Sequence, residues 1–189
     1  MRLAHPVRNV KKPKYARKPT ILRVNRAPGN ATRGALRFHR LTLPVALGRG
    51  GIKANKREGD GATPRGRFRL LRLWWRADRL PRPATRLPAR RIRPNDGWCE
   101  DPDDRRYNRP VKLAPESNAD RLWRDDRLYD FIVELDHNTH PRIKNRGSAV
   151  FIHVARPGLT PTAGCVALPA KELRNLLARL PRGALIDIR

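Results

Sequence analysis

The chain is poor in acid, in cysteine and in long apolar runs, and each shortage excludes something. Its 189 residues include 17 Asp+Glu, and none of these precedes Glu58. No uninterrupted apolar run exceeds the four residues of 149–152, whereas a membrane-spanning helix needs roughly 20. The 18 prolines and the lack of an internal period exclude long coiled coils and repeat arrays. Two cysteines, Cys99 and Cys165, allow one disulfide or leave a free reactive thiol. Aromatics are scarce where the charge is densest, with only Tyr15 ahead of Phe38, so the N-terminal third has few rings on which bases could stack.

Positive charge is what the chain has in excess. Lys+Arg number 43, and the formal net charge is +26 at pH 7. Residues 1–57 hold 16 basic residues and no acidic ones. Such a field attracts polyanions: nucleic acid, an acidic lipid surface or an acidic cell-wall polymer. Part of the arginine excess also fits the coding bias of a GC-rich genome, and net charge bears on binding rather than on fold. The first residues lack the apolar stretch of roughly 7–15 residues that a secretory signal requires, and no lipidation motif is visible. Residues 1–19 are basic and proline-broken. They are expected to form a flexible tail ahead of a single domain over 20–189.

Within that domain, 20–24, 35–43, 67–75, 129–135, 148–154 and 184–188 read as strands. Segments 48–51 and 59–66 read as turns. The stretch 76–127, dense in Pro, Arg and Asp, is expected to be long loops with short elements, including a helical turn over 120–127. One helix is convincing: Leu173, Leu176, Leu177 and Leu180 form an i, i+3, i+4, i+7 stripe between Pro169 and Gly183. Many short strands and one late helix predict a mainly β sandwich or barrel.

Glycines at 48–53 lack the spacing of a nucleotide-phosphate loop, and Gly59 and Gly61 precede no helix; they are turn residues. His137 and His140, with His153 and Cys165 downstream, form a set of four that zinc accepts in other settings. The first two, however, lie in a polar loop ended by Pro141 and read as exposed polar groups. The sharper constellation is His153 at the end of an apolar strand, followed by Thr162-Ala163-Gly164-Cys165. A thiol needs an imidazole or aligned amides nearby to react as thiolate at neutral pH, and Gly164 lets successive N–H groups point to one spot, as an oxyanion hole requires. On residue chemistry alone, Cys165 as a small buried hydrophobe weighs about equally.

Three segments resemble the L,D-transpeptidase catalytic domain family (YkuD-type). Ala62-Thr63-Pro64-Arg65-Gly66-Arg67-Phe68 is similar to a T-P-x-G-x-[FY] strand opening. Gly147-Ser148-Ala149-Val150-Phe151-Ile152-His153 is similar to the strand ending in the family's general-base histidine. Thr162-Ala163-Gly164-Cys165-Val166 is similar to the [ST]-H-G-C-[IV] turn that carries the nucleophile. With Lys56-Arg57-Glu58-Gly59-Asp60-Gly61 and Tyr107-Asn108, the likeness runs from about Leu36 to the C-terminus. The chain departs from the pattern at Ala163, where the family has His, and at Ala167, so it resembles a divergent branch.

The resemblance implies a β-sandwich with the late helix packed on it. It also implies a peptidoglycan cross-linking enzyme of cell-wall biosynthesis and cell-shape maintenance, using no metal and no organic cofactor. His153 would take the Cys165 proton, the thiolate would attack a stem-peptide carbonyl, and an amine of a neighbouring stem would resolve the thioester into a 3–3 or 1–3 link. Gly164, Ala163, Thr162 and Tyr107 would line the oxyanion and substrate site, with Arg156 and Arg146 meeting stem carboxylates. Trimming of stems as a carboxypeptidase or amidase is the alternative outcome, and a non-enzymatic nucleic-acid binder is the alternative class. Residues 1–57 would add sequence-blind polyanion binding. The family's substrate points to the periplasm or cell wall, the missing signal to the cytoplasm. Cys99 is expected to be structural, since pairing with Cys165 would silence the nucleophile.

Overall fold

The structure, a computed structural model, describes residues 19–114, 117 and 119–189. Residues 1–18, most of the expected tail, lie outside the described part. The strands are β1 (Ile21–Ala27), β2 (Asn30–Phe38), β3 (Leu41–Ala46), β4 (Ile52–Lys53), β5 (Thr63–Pro64), β6 (Gly66–Trp75), β7 (Ala89–Arg91), β8 (Asp96–Cys99), β9 (Arg109–Lys112), β10 (Asp120–Arg121), β11 (Phe131–Leu135), β12 (Phe151–Val154), β13 (Val166–Leu168) and β14 (Leu185–Ile188), with helix α1 (Ala170–Arg179) before the last.

Nine of these strands form one sheet in the order β11-β12-β13-β3-β2-β1-β14-β6-β7, and β6 also pairs with β11. That extra pairing closes the sheet on itself. The long β6 makes it possible: its first half pairs with β14, Ile188 opposite Gly66, and its second half with β11, Phe131 opposite Trp75. The fold is mainly β with one late helix, as composition and pattern predict.

Two apolar cores follow from strand alternation, which sends successive side chains to opposite faces. Leu22, Val24, Leu36, Val45, Ile152, Val166 and Ile186 point to one face, and the helix stripe Leu173, Leu176, Leu177 and Leu180, all fully buried, belongs to that core. On the other face, Trp74, Ile132, Phe151 and Cys165 pack under Trp98, Ile92 and Leu122. Those last three come from the segment between β6 and β11, where β10, β8 and β9 form a separate three-stranded sheet. The expected loops there are therefore partly strands, and 120–127 is β10 followed by turns rather than a helical turn.

A second correction concerns 35–43. It is not one strand but the end of β2, a turn at His39 and Arg40, and the start of β3. His39 takes the positive φ of 51° that the turn demands. The outer face of β2, β1, β14 and β6 carries Arg37, Arg23, Asp187 and Arg67 in one cross-strand row. One carboxylate thus stands among three guanidiniums, and Arg189 also bonds it at 2.7 Å.

Candidate active site

Strands β12 and β13 run parallel, with Ile152 opposite Val166 and His153 opposite Ala167. Extending that register by one residue puts Cys165 opposite Phe151. Because Phe151 and His153 are two apart on one strand, Cys165 and His153 share a face of the sheet. The expected pair is brought to one side of the fold by adjacent strands. Both cysteines are free thiols, so no disulfide occupies Cys165.

Cys165 is held as a neutral thiol. Its Sγ accepts the Phe151 N–H at 3.3 Å and donates to the Ala149 carbonyl at 3.2 Å. Burial pushes the thiol up to about 12, and the Phe151 amide lowers it only in part. His153 is equally buried, and desolvation lowers its imidazole to about 4. Its Nδ1 lies 2.8 Å from the Val154 carbonyl. A carbonyl only accepts, so Nδ1 carries the proton and Nε2 is left as a base. The Tyr129 ring stands edge-on to His153 at 5.5 Å and to Phe151 at 6.3 Å, and its hydroxyl donates to Asp120 at 3.0 Å.

The turn before Cys165 is fastened at both ends. The Thr162 hydroxyl donates to the Cys165 carbonyl at 2.7 Å and accepts the Gly164 N–H at 3.1 Å. Thr162 is zipped to the segment after β3, giving N–H to Leu47 and taking N–H from Arg49, each at 2.9 Å. The Gly164 amide, expected to serve an oxyanion, is thus committed to Thr162. The Cys165 amide lies one residue ahead of the β13 ladder and has no acceptor among the described turn contacts.

The T-P-x-G segment explains itself here. Thr63 is fully buried, and its hydroxyl accepts the Gly48 N–H at 2.8 Å, next to the strip that holds Thr162. Thr63→Val keeps the shape and removes the acceptor, leaving a buried N–H unpaired. The expected cost is about 1–3 kcal/mol, read as a lower urea midpoint at unchanged slope; an unchanged midpoint would deny Thr63 this role.

A cavity of about 170 Å³ opens on Cys165, lined by Arg49, Lys56, Glu58, Glu100, Tyr129, Ser148 and the Ala163–Gly164 turn among others. Lys56 is buried, bonded to Asp60 at 2.5 Å and to the Arg57 carbonyl at 2.7 Å. Tyr107 lies behind this wall: its hydroxyl donates to Glu58, and burial with that carboxylate raises the phenol. Asn108 accepts the Ala149 N–H at 3.2 Å and donates to the carbonyls of His137 and Asn138, so it sets the backbone that receives the Cys165 thiol.

Arg146 and Arg156 do not line this cavity. Arg146 donates to Asn55 and Arg156 faces Asp126 at 3.7 Å. The cations at the pocket are Lys56, which opens the Lys56–Gly61 segment of the resemblance, and Arg49, which the sequence does not distinguish from the other basic residues. His137 is spent on the Arg146 carbonyl at 3.0 Å, and His140 is exposed. Among the described residues no three His, Cys, Asp or Glu side chains are placed to hold a metal ion.

A thiol on a glycine turn, a tautomer-fixed imidazole on the same sheet face and an unspent amide are the parts of cysteine-dependent acyl transfer. The family model of the L,D-transpeptidase catalytic domain (YkuD) matches residues 22–188. The chain belongs to that family. Comparison with curated proteins and with solved structures gave no match.

Proposed function

We propose that the protein is a peptidoglycan L,D-transpeptidase that works through a Cys165 thioester. The observation that carries this reading is the position of Cys165: a thiol at a polar cavity, on the same sheet face as an imidazole whose Nε2 is available as base. In the acylation step Nε2 of His153 takes the sulfur's proton as sulfur attacks an amide carbonyl of a stem peptide. The Cys165 N–H stabilises the oxyanion, and the C–N bond breaks as the imidazolium protonates the departing amine. An amine from a second stem then displaces the sulfur and forms the cross-link; water in its place gives trimming.

The substrate sets the place of action at the cell wall. Among the described residues no helix is long and apolar enough to cross a membrane. The positive surface suits stem peptides with free carboxylates and also attracts other polyanions. Mass spectrometry of muropeptides incubated with wild type and with Cys165→Ala tests the reading. Cross-linked dimers from the wild type alone are expected. Dimers from both proteins would remove Cys165 from the chemistry, and products from neither would reject the function.

A further inference from the structure

The acylation step leaves a second proton problem. An acceptor amine arrives as an ammonium at neutral pH and must lose a proton before it attacks the thioester. His153 faces Tyr129 and is absent from the cavity wall, so the incoming ammonium meets other groups first. The charged side chains of the wall differ in how they are engaged. Lys56 is spent on Asp60. Glu58 holds the Tyr107 hydroxyl and lies at 3.4 Å from the Gly59 amide.

Glu100 and Arg49 have no such partners. Neither side chain makes a hydrogen bond or an ion pair within the described residues, and no ion pair joins the two. Each lines the cavity that contains Cys165. A third group points the same way. The Ser148 hydroxyl, in a residue 7% exposed, also lines the cavity, next to the Tyr107 phenol that donates to Glu58. A free carboxylate and a free guanidinium at the mouth of one thiol, with a buried hydroxyl between the walls, describe a site for a zwitterion.

We propose that Glu100 and Arg49 form the acceptor subsite. Glu100 takes a proton from the ammonium of an incoming amine that carries its own carboxylate, and Arg49 holds that carboxylate. The proposal rests on the reading of Cys165 as the acyl-accepting nucleophile. In the step, the Glu100 carboxylate becomes a carboxylic acid and the ammonium a free amine. The amine nitrogen bonds to the thioester carbon, the C–S bond breaks, and a second N–H proton passes through Nε2 of His153 to the departing sulfur. The products are an amide, the Cys165 thiol and protonated Glu100, which returns its proton to water.

The electrostatics suit the task. Glu100 reaches the surface at the cavity rim, but its carboxyl is desolvated by the wall and stands near Asp120 of β10 and Glu58. These raise it to about 7, against the lowering effect of Lys56. A base poised near the working pH is the most effective proton acceptor.

The test separates acylation from resolution. Wild type, Glu100→Gln and Arg49→Gln are acylated on Cys165 by a tetrapeptide muropeptide, followed as a mass shift, and then mixed with D-alanine or with methoxyamine. D-alanine is an ammonium carrying a carboxylate; methoxyamine is neutral at pH 7 and carries none. Expected for Glu100→Gln is a loss of at least tenfold in resolution by D-alanine, within the roughly 10²–10⁴-fold range of general-base effects. Its rate no longer rises through pH 7, and methoxyamine resolves it as in the wild type. For Arg49→Gln, a higher half-saturating D-alanine concentration with unchanged methoxyamine resolution is expected. Equal losses with both amines, or no loss with either, would overturn the acceptor subsite while leaving the thioester standing. No acyl-enzyme in the wild type would overturn both.

Discussion

Replacing His153 by Ala should slow acylation of Cys165 by roughly 10²–10⁴-fold and yet leave its alkylation by iodoacetamide within about twofold. The two readouts diverge because the resting pair is neutral. Burial holds the thiol near 12 and the imidazole near 4, so the free enzyme contains neither thiolate nor imidazolium in quantity at neutral pH. In the proposed mechanism the proton moves only when a bound carbonyl lets sulfur attack, and His153 is the base that takes it. Alkylation depends on the thiolate fraction, which desolvation sets with or without His153. It should climb about tenfold per pH unit between pH 7 and 10, without a plateau. Peptide mapping separates this thiol from Cys99, which burial also raises. A plateau below pH 7, the sign of a resting ion pair, would sink the argument. The imidazole further makes the fold acid-sensitive. Unfolded, it takes a proton near 6.5; folded, only near 4. Stability is therefore full above about 6.5 and falls as pH drops through that window, and the Ala variant should lose this slope.

Much of the frame was legible because its signals are local. The helix stripe at Leu173, Leu176, Leu177 and Leu180 and the apolar runs of β6, β11 and β14 declare their periods within a few residues. The turn at His39 and Arg40 did not, because it carries no glycine, proline or asparagine and the alternation of β2 runs straight on into β3. The three-stranded insert was illegible for another reason. Trp98 and Leu122 find their partners, Trp74 and Phe151, far away in sequence, and a short strand whose apolar contacts are all remote has no period of its own. The same holds at the site. His153 and Cys165 stood out through strand ends and a glycine turn. Glu100 and Arg49 are ordinary residues of polar segments until folding gathers them around one thiol, and Arg146 and Arg156, near the pair in sequence, are turned to Asn55 and Asp126.

Gly164→Ala should lower transpeptidation by roughly 10²-fold or more, at a stability cost of about 1–3 kcal/mol. Gly164 has φ of +141°, a backbone conformation open to glycine, and a Cβ there would stand 2.8 Å from the Ala62 carbonyl oxygen. Neither partner can yield cheaply. Ala62 lies beside Thr63, whose hydroxyl anchors Gly48, and the Lys56 stem passes 3.7 Å from the same Cβ position. The turn must therefore move, and it carries with it the sulfur and the amide of Cys165, the two groups the proposed acylation uses. Gly158→Ala is the matched comparison. Its φ is also positive, at +72°, but nothing lies within 4 Å of the added carbon. It should pay only backbone strain, about 1 kcal/mol, and keep its activity. Equal activity losses at the two positions would mean that positive φ alone matters. A larger loss at 164, together with an unchanged mass-detectable thiol, would tie the T-P-x-G strand to catalysis through the one carbonyl that leaves room for no side chain.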